Sequence, residues 1–283
     1  MMANEDMNTM LIKLKERYRY SFIVLKEMVR TDFKLRYQGS FLGIAWSVLK
    51  PLMLFCVMYV VFVKFLKFTD GTPTFPLVLL LGISLWNFFA EATNMGLTAI
   101  VGRGDILRKI HFPNYIIVVS ATVGALISLA INMCVVLVFC IFNQVHFTWN
   151  VLWLPLNFIE FYALALGTAL LLAALNVYFR DMQHIWEVLM QVFFYATPII
   201  YPLSLVTEKT NNPIFAKIML LSPPAQIIQD IRHNLIAPDT TPTVWKEISN
   251  WGIRLIPVAL TFFILWLGIH IFRKYSQKFA EVL

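Results

Sequence analysis

Charge is scarce in this sequence. Asp, Glu, Lys and Arg make up only 14% of its 283 residues, against about 25% in an ordinary soluble domain. Hydrophobic residues reach 59% and mean hydropathy is +0.71. That balance excludes a disordered chain, which needs low hydrophobicity and high charge, and argues against a water-soluble enzyme. Cysteine is sparse too. Cys56, Cys134 and Cys140 sit in apolar runs without C-x-x-C spacing. That excludes a disulfide framework and reads as three small buried hydrophobes. The five histidines are too far apart for ligand spacing. No G-x-x-x-x-G-K-[ST], H-E-x-x-H, G-x-S-x-G or EF-hand pattern occurs. No apolar run near the N-terminus is followed by a small-residue cleavage site, so no cleavable signal peptide is expected.

Long apolar runs are what the sequence has in excess. A helix crossing the ~30 Å hydrocarbon layer needs roughly 20 apolar residues. Barrel strands would alternate over about 10 instead. The runs here are continuous, so the expected class is an all-α integral membrane protein. Six spans are predicted, at about 45–66, 77–100, 114–142, 151–178, 184–206 and 253–272. Thr197-Pro198 and Tyr201-Pro202 interrupt the outer end of the fifth, because proline removes a backbone donor. Residues 207–250 form an outer segment whose apolar stretch, Ile218 to Ile228, is split by Ser222-Pro223-Pro224. It is too short to span and predicts one or two short re-entrant or interfacial helices. Its carboxylates, Glu208, Asp230, Asp239 and Glu247, read as a solvated loop. Residues 1–40 form a separate cytoplasmic segment, and 41–283 the membrane domain.

Orientation follows from Lys and Arg. With the N-terminus inside, segments 1–50, 101–113, 179–187 and 273–283 hold sixteen of the 23 basic residues. They also account for the whole net charge of +7, because the outer loops and the spans cancel. Both termini are then cytoplasmic, and the charge gives no reason to look for nucleic acid. Leu11, Leu14, Tyr18, Phe22, Leu25, Val29 and Phe33 recur at spacings of three and four, one face of a helix. Lys and Arg lie mostly off that face. The segment reads as an amphipathic helix in the cytoplasmic interface, or as a soluble helix packed on a partner. Thr31-Asp32 offers a cap for a short second helix, 32–37. Inside the spans, Glu91 and Glu160 are either structural hydrogen-bonding groups or functional ones.

Four motifs then resemble one family. Arg36-Tyr37-Gln38-Gly39-Ser40-Phe41-Leu42-Gly43-Ile44-Ala45-Trp46, followed by Lys50-Pro51-Leu52, is similar to the start of the first span in membrane subunits of type-two ABC exporters. Ile106 to Pro113 resembles their cytoplasmic segment between the second and third spans. Asn176 to Asp181 resembles the turn after the fourth, and Thr197 to Pro202 the broken end of the fifth. The closest branch handles lipid-linked polysaccharides: O-antigen, capsule and teichoic acid.

The resemblance implies a multi-pass subunit of the bacterial cytoplasmic membrane. It binds no cofactor, because ATP and Mg belong to a separate ATPase present in two copies. A second copy of this chain is implied, with a conduit on the two-fold axis. Leu107, Arg108, Lys109, Ile110, His111 and Pro113 would couple to the ATPase, or Arg108 and Lys109 would only anchor span ends. Arg30, Lys34, Arg36, Tyr37 and Lys50 would attract the substrate's lipid phosphate. Trp46, Phe55, Tyr59, Trp86, Phe89, Tyr195 and Tyr201 would line the conduit or gate, or serve as packing and interface aromatics. Arg180 and Asp181 would pair with each other or with the N-terminal helix. The rival readings are an ABC exporter of a drug or small lipid, a membrane transferase acting on lipid-linked sugars, and a proton-driven transporter using Glu91 and Glu160. The last would usually show internal repeats, which the two halves lack.

Overall fold

The computed structural model describes residues 19–32, 34, 42–67, 74–109 and 112–282, and these are predominantly helical, without strands. Helix α1 covers 19–32. Helix α2, Trp46–Met58, runs on as a π-helical stretch, Tyr59–Phe65. Then come α3 (Phe75–Ala99), α4 (Gly104–Lys109), α5 (Tyr115–Phe142), α6 (Leu154–Tyr178) and α7 (Met182–Ala196). The outer segment supplies α8 (Leu203–Thr210), α9 (Pro213–Leu220), α10 (Pro223–Leu235), α11 (Val244–Glu247) and α12 (Trp251–Arg254). Helix α13 (Ile256–Ser276) and α14 (Phe279–Val282) finish the chain.

Among the described residues, five continuous helical segments are long and apolar enough to cross a membrane: Trp46–Phe65, Phe75–Ala99, Tyr115–Phe142, Trp149–Tyr178 and Trp251–Ser276. The expected fifth span, 184–206, is instead divided. Helix α7 has 15 residues, about 22 Å at 1.5 Å per residue. It ends at Ala196 because Pro198 steers the residue before it out of the helical region; Thr197 has φ −90° and ψ 132°. The Pro223-Pro224 pair likewise separates α9 from α10, since proline suits the first turn of a helix and not its interior.

Helix α3 is the buried axis of the bundle, and α5 and α6 pack along it. Helix α13 lies against α6 so closely that a Cβ on Gly268 would overlap the Gly167 carbonyl. Helix α2 is held least: Pro51 is its one buried residue, and Met53, Val57 and Phe65 are exposed. Gly43, at φ +50°, turns the chain into it, a conformation that favours glycine.

The structure corrects three expectations. Cys56 and Cys134 are exposed and only Cys140 is buried, because an apolar residue in a membrane helix need not face the protein. Asp32 does not begin a new helix as its cap. It is itself helical, in line with α1, and pairs with Arg103, which also donates to Ser120 Oγ at 3.2 Å. Asp230 is no loop residue: it is 4% exposed within α10. Its neighbours Ile227, Ile228 and Ile231 carry that face into the core.

Candidate functional site

A cavity of about 690 Å³ opens between α2, α3 and α5. Its polar lining is unusual for the middle of apolar helices: Ser47, Lys50, Asn87, Glu91, Ser128 and Asn132. Among the sequence-predicted residues it unites Trp46 and Lys50 with Glu91. Ser128 Oγ donates to Glu91 Oε1 at 3.3 Å. Pro51 sits inside α2 rather than in its first turn, so the carbonyl four residues back, Ser47, loses its helical donor. Asn132 of α5 replaces it, Nδ2 donating to Ser47 O at 3.2 Å and to Ser128 O at 2.9 Å. A proline break in one helix is thus met by an amide from another, which fixes α2 to α5 at the cavity wall.

Of the other expected conduit residues, Phe55, Tyr59 and Tyr201 are half-buried, Tyr195 is exposed, and Trp86 and Phe89 are buried. Phe55 and Tyr59 form a ring pair on α2, centroids 5.9 Å apart. Tyr195 is exposed at the end of α7, and Tyr201 OH donates to its carbonyl at 2.7 Å. Trp86 and Phe89 do not reach an open face. They are 5% and 3% exposed, packed on each other at 5.9 Å and, through Trp86, on Phe194 at 5.8 Å. In this chain they hold α7 to the core.

Sequence reasoning placed Arg232 in a polar outer loop and gave it no role. The structure buries it to 3% exposure. Its Nη1 donates to Pro198 O and its Nη2 to Ile199 O, each at 2.7 Å. These carbonyls lie in the break after α7, where no helical donor reaches them. The planar fork of arginine satisfies both at once. Gly82 of α3 makes room, since a Cβ there would overlap Arg232 Nη2. The proline pair signalled the break; nothing local signalled the distant arginine that closes it.

At the opposite end, Leu107 and Phe112 pack with Met28 of α1 against a second apolar cluster that includes Ile100, Ile117 and Phe272. Leu107 therefore anchors α4 inward. Arg108 and Lys109 belong to α4, but their side chains, and Ile110, His111, Arg36 and Tyr37 altogether, lie outside the described residues; so do 1–18 and most of the expected helix 32–37. Pro113 is half-buried, and Arg30 and Lys34 are exposed on the N-terminal segment. Among the described residues neither Arg180 nor Asp181 makes an ion pair; both are exposed.

A bundle of long apolar helices around a buried axis, with a polar cavity beside its most loosely held helix, defines a multi-pass membrane protein. Residues 24–236 match the family model described as ABC-2 type transporter, and the chain belongs to that family. It is 29% identical over 275 residues to the O-antigen export system permease protein RfbA of Myxococcus xanthus, covering 96% of this chain and 99% of that one. A protein of the same name from Klebsiella pneumoniae is 26% identical over 280 residues, covering 97% and 100%. The polysialic acid transport protein KpsM of Escherichia coli is 20% identical over 241 residues, covering 82% and 93%.

Proposed function

We propose that this chain is the membrane-spanning subunit of an ATP-driven exporter that moves a lipid-linked polysaccharide across the bacterial cytoplasmic membrane. The observation that carries the reading is similarity over nearly the whole length to two permeases named for O-antigen export. It works as two copies with two separate ATPase subunits, which hold ATP and Mg; this chain has no nucleotide site of its own. Helix α7 and the turn after it serve as a sixth membrane crossing, with α8 to α10 as short outer re-entrant helices and both termini cytoplasmic. Helix α1, with Phe22 and Ile23 exposed, lies in the cytoplasmic interface. The segment from α4 to Pro113 receives the ATPase, and the inward anchoring of Leu107 couples its movement to α3 and α5.

The cavity between α2, α3 and α5 gives the polymer a hydrogen-bonding surface. Helix α2 moves most easily, because so little of it is buried. Lys50 draws the anionic lipid phosphate toward that surface. Co-expression with a candidate ATPase subunit tests the reading. A stable complex whose ATP hydrolysis rises with added lipid-linked oligosaccharide is the expected result. Stimulation by a drug or a simple phospholipid and not by the oligosaccharide would refute it.

A further inference from the structure

A second cavity, about 550 Å³, lies between α6, α10 and α13, at the end of the bundle that the Lys and Arg bias assigns to the outer surface. Its buried polar lining includes Glu160, Gln226 and Asp230, at 8%, 1% and 4% exposure. Each keeps one oxygen without a hydrogen-bond partner: Glu160 Oε1, Gln226 Oε1 and Asp230 Oδ1. Such atoms cost about 1–3 kcal/mol each when left unmade, so three together on one cavity call for an occupant. The set is rigid. Gln226 Nε2 and Trp245 Nε1 both donate to the other Asp230 oxygen, at 2.6 and 3.0 Å. Asn234 of α10 donates to Asn157 of α6 at 2.8 Å.

His233 Nδ1 is a fourth unpartnered atom on this lining, but the three oxygens are acceptors and two belong to carboxyl groups, so the occupant that suits them donates hydrogen bonds and carries positive charge. Among the described residues no three His, Cys, Asp or Glu side chains converge as metal ligands. A primary ammonium has three N–H donors, one for each oxygen. The remaining walls indicate where it comes from. Leu156, Ile159 and Phe262, all more than half or half exposed, carry the rim out onto the apolar surface of α6 and α13. Lys246, exposed at the same rim, donates to Pro238 O at 2.6 Å and keeps two further N–H donors for a phosphate.

We propose that this cavity binds the ammonium headgroup of an outer-leaflet aminophospholipid, with Glu160, Gln226 and Asp230 accepting its three donors and Lys246 facing its phosphate. A choline headgroup has the same charge and no N–H, and a glycerol headgroup has hydroxyls and no cation. The full-length chain, purified in detergent and stripped of lipid, is titrated with dioleoyl phosphatidylethanolamine, phosphatidylcholine and phosphatidylglycerol, and binding is read by native mass spectrometry. The ethanolamine lipid is expected to bind about tenfold or more tightly over the other two, the worth of one or two charge-assisted hydrogen bonds. Glu160→Gln, and independently Asp230→Asn, are expected to erase that preference while leaving binding of the choline lipid unchanged. Equal binding of the three lipids, or preference for the glycerol lipid, overturns the proposal without needing either variant to fold. Preference undiminished in both variants overturns the residue assignment. Soluble glycerophosphoethanolamine competing as well as the intact lipid overturns the membrane source.

Discussion

Two prolines in this chain leave backbone carbonyls without helical donors, and in both places a side chain remote in sequence supplies the bond. At Pro51 it is Asn132. Asn132→Val removes the bond to the Ser47 carbonyl and is expected to cost about 1–3 kcal/mol, read as a lower midpoint of thermal unfolding in detergent. Pro51→Ala returns an N–H to position 51, so the double variant should recover most of that loss. A double variant no better than Asn132→Val alone would disprove the pairing. After α7 the donor is Arg232. Gly82→Ala drives a methyl into its guanidinium, and Arg232→Lys replaces a planar fork by a point donor. Both are expected to lower the unfolding midpoint, whereas Ala at Gly102, where a Cβ meets nothing, should not.

Among the elements, α1 and α13 depend most on single contacts. Asp32 joins α1 to the junction of α3 and α4 through Arg103, and Arg103 reaches on to Ser120 of α5. The pair is only partly buried, so it adds little to global stability; its effect is local. Asp32→Asn should speed hydrogen exchange across 19–32 and leave α3 unchanged. The α6–α13 crossing is the opposite case, backbone against backbone. Gly268→Ala forces the helices apart, and overpacking of this kind typically costs about 1–3 kcal/mol. Loss of that amount in unfolding free energy, with no change in lipid or ATPase binding, is the expected outcome.

For the whole molecule, the exposure of α2 is the feature with functional weight. If two copies meet along it, a cysteine at Met53 or Val57, in a chain lacking Cys56, Cys134 and Cys140, should form a disulfide-linked dimer in membranes. Cysteine at Leu152 or Ile159, exposed on the segment 149–178 instead of α2, should not. Labelling a cysteine at Asn211 from outside intact cells, with one at Asp105 protected, is the expected topology. The reverse pattern would overturn the orientation.

Five helices were legible in the sequence to within about four residues, because continuous apolarity over the thickness of a bilayer has one structural solution, and backbone groups in lipid must be satisfied within the helix. The breaks were legible for the same local reason: Pro198 and Pro223 act on their immediate neighbours. Hydropathy does not say which face of an apolar helix meets protein and which meets lipid. Hence Cys56 and Cys134 point outward, and Trp86 and Phe89 are buried instead of lining an open face. Nor could the sequence pair Asn132 with Ser47, Arg232 with Pro198, or Asn234 with Asn157, since each bond joins segments that only folding brings together. Composition and local pattern set the class, the spans and the turns, and tertiary packing decided where the few polar side chains meet.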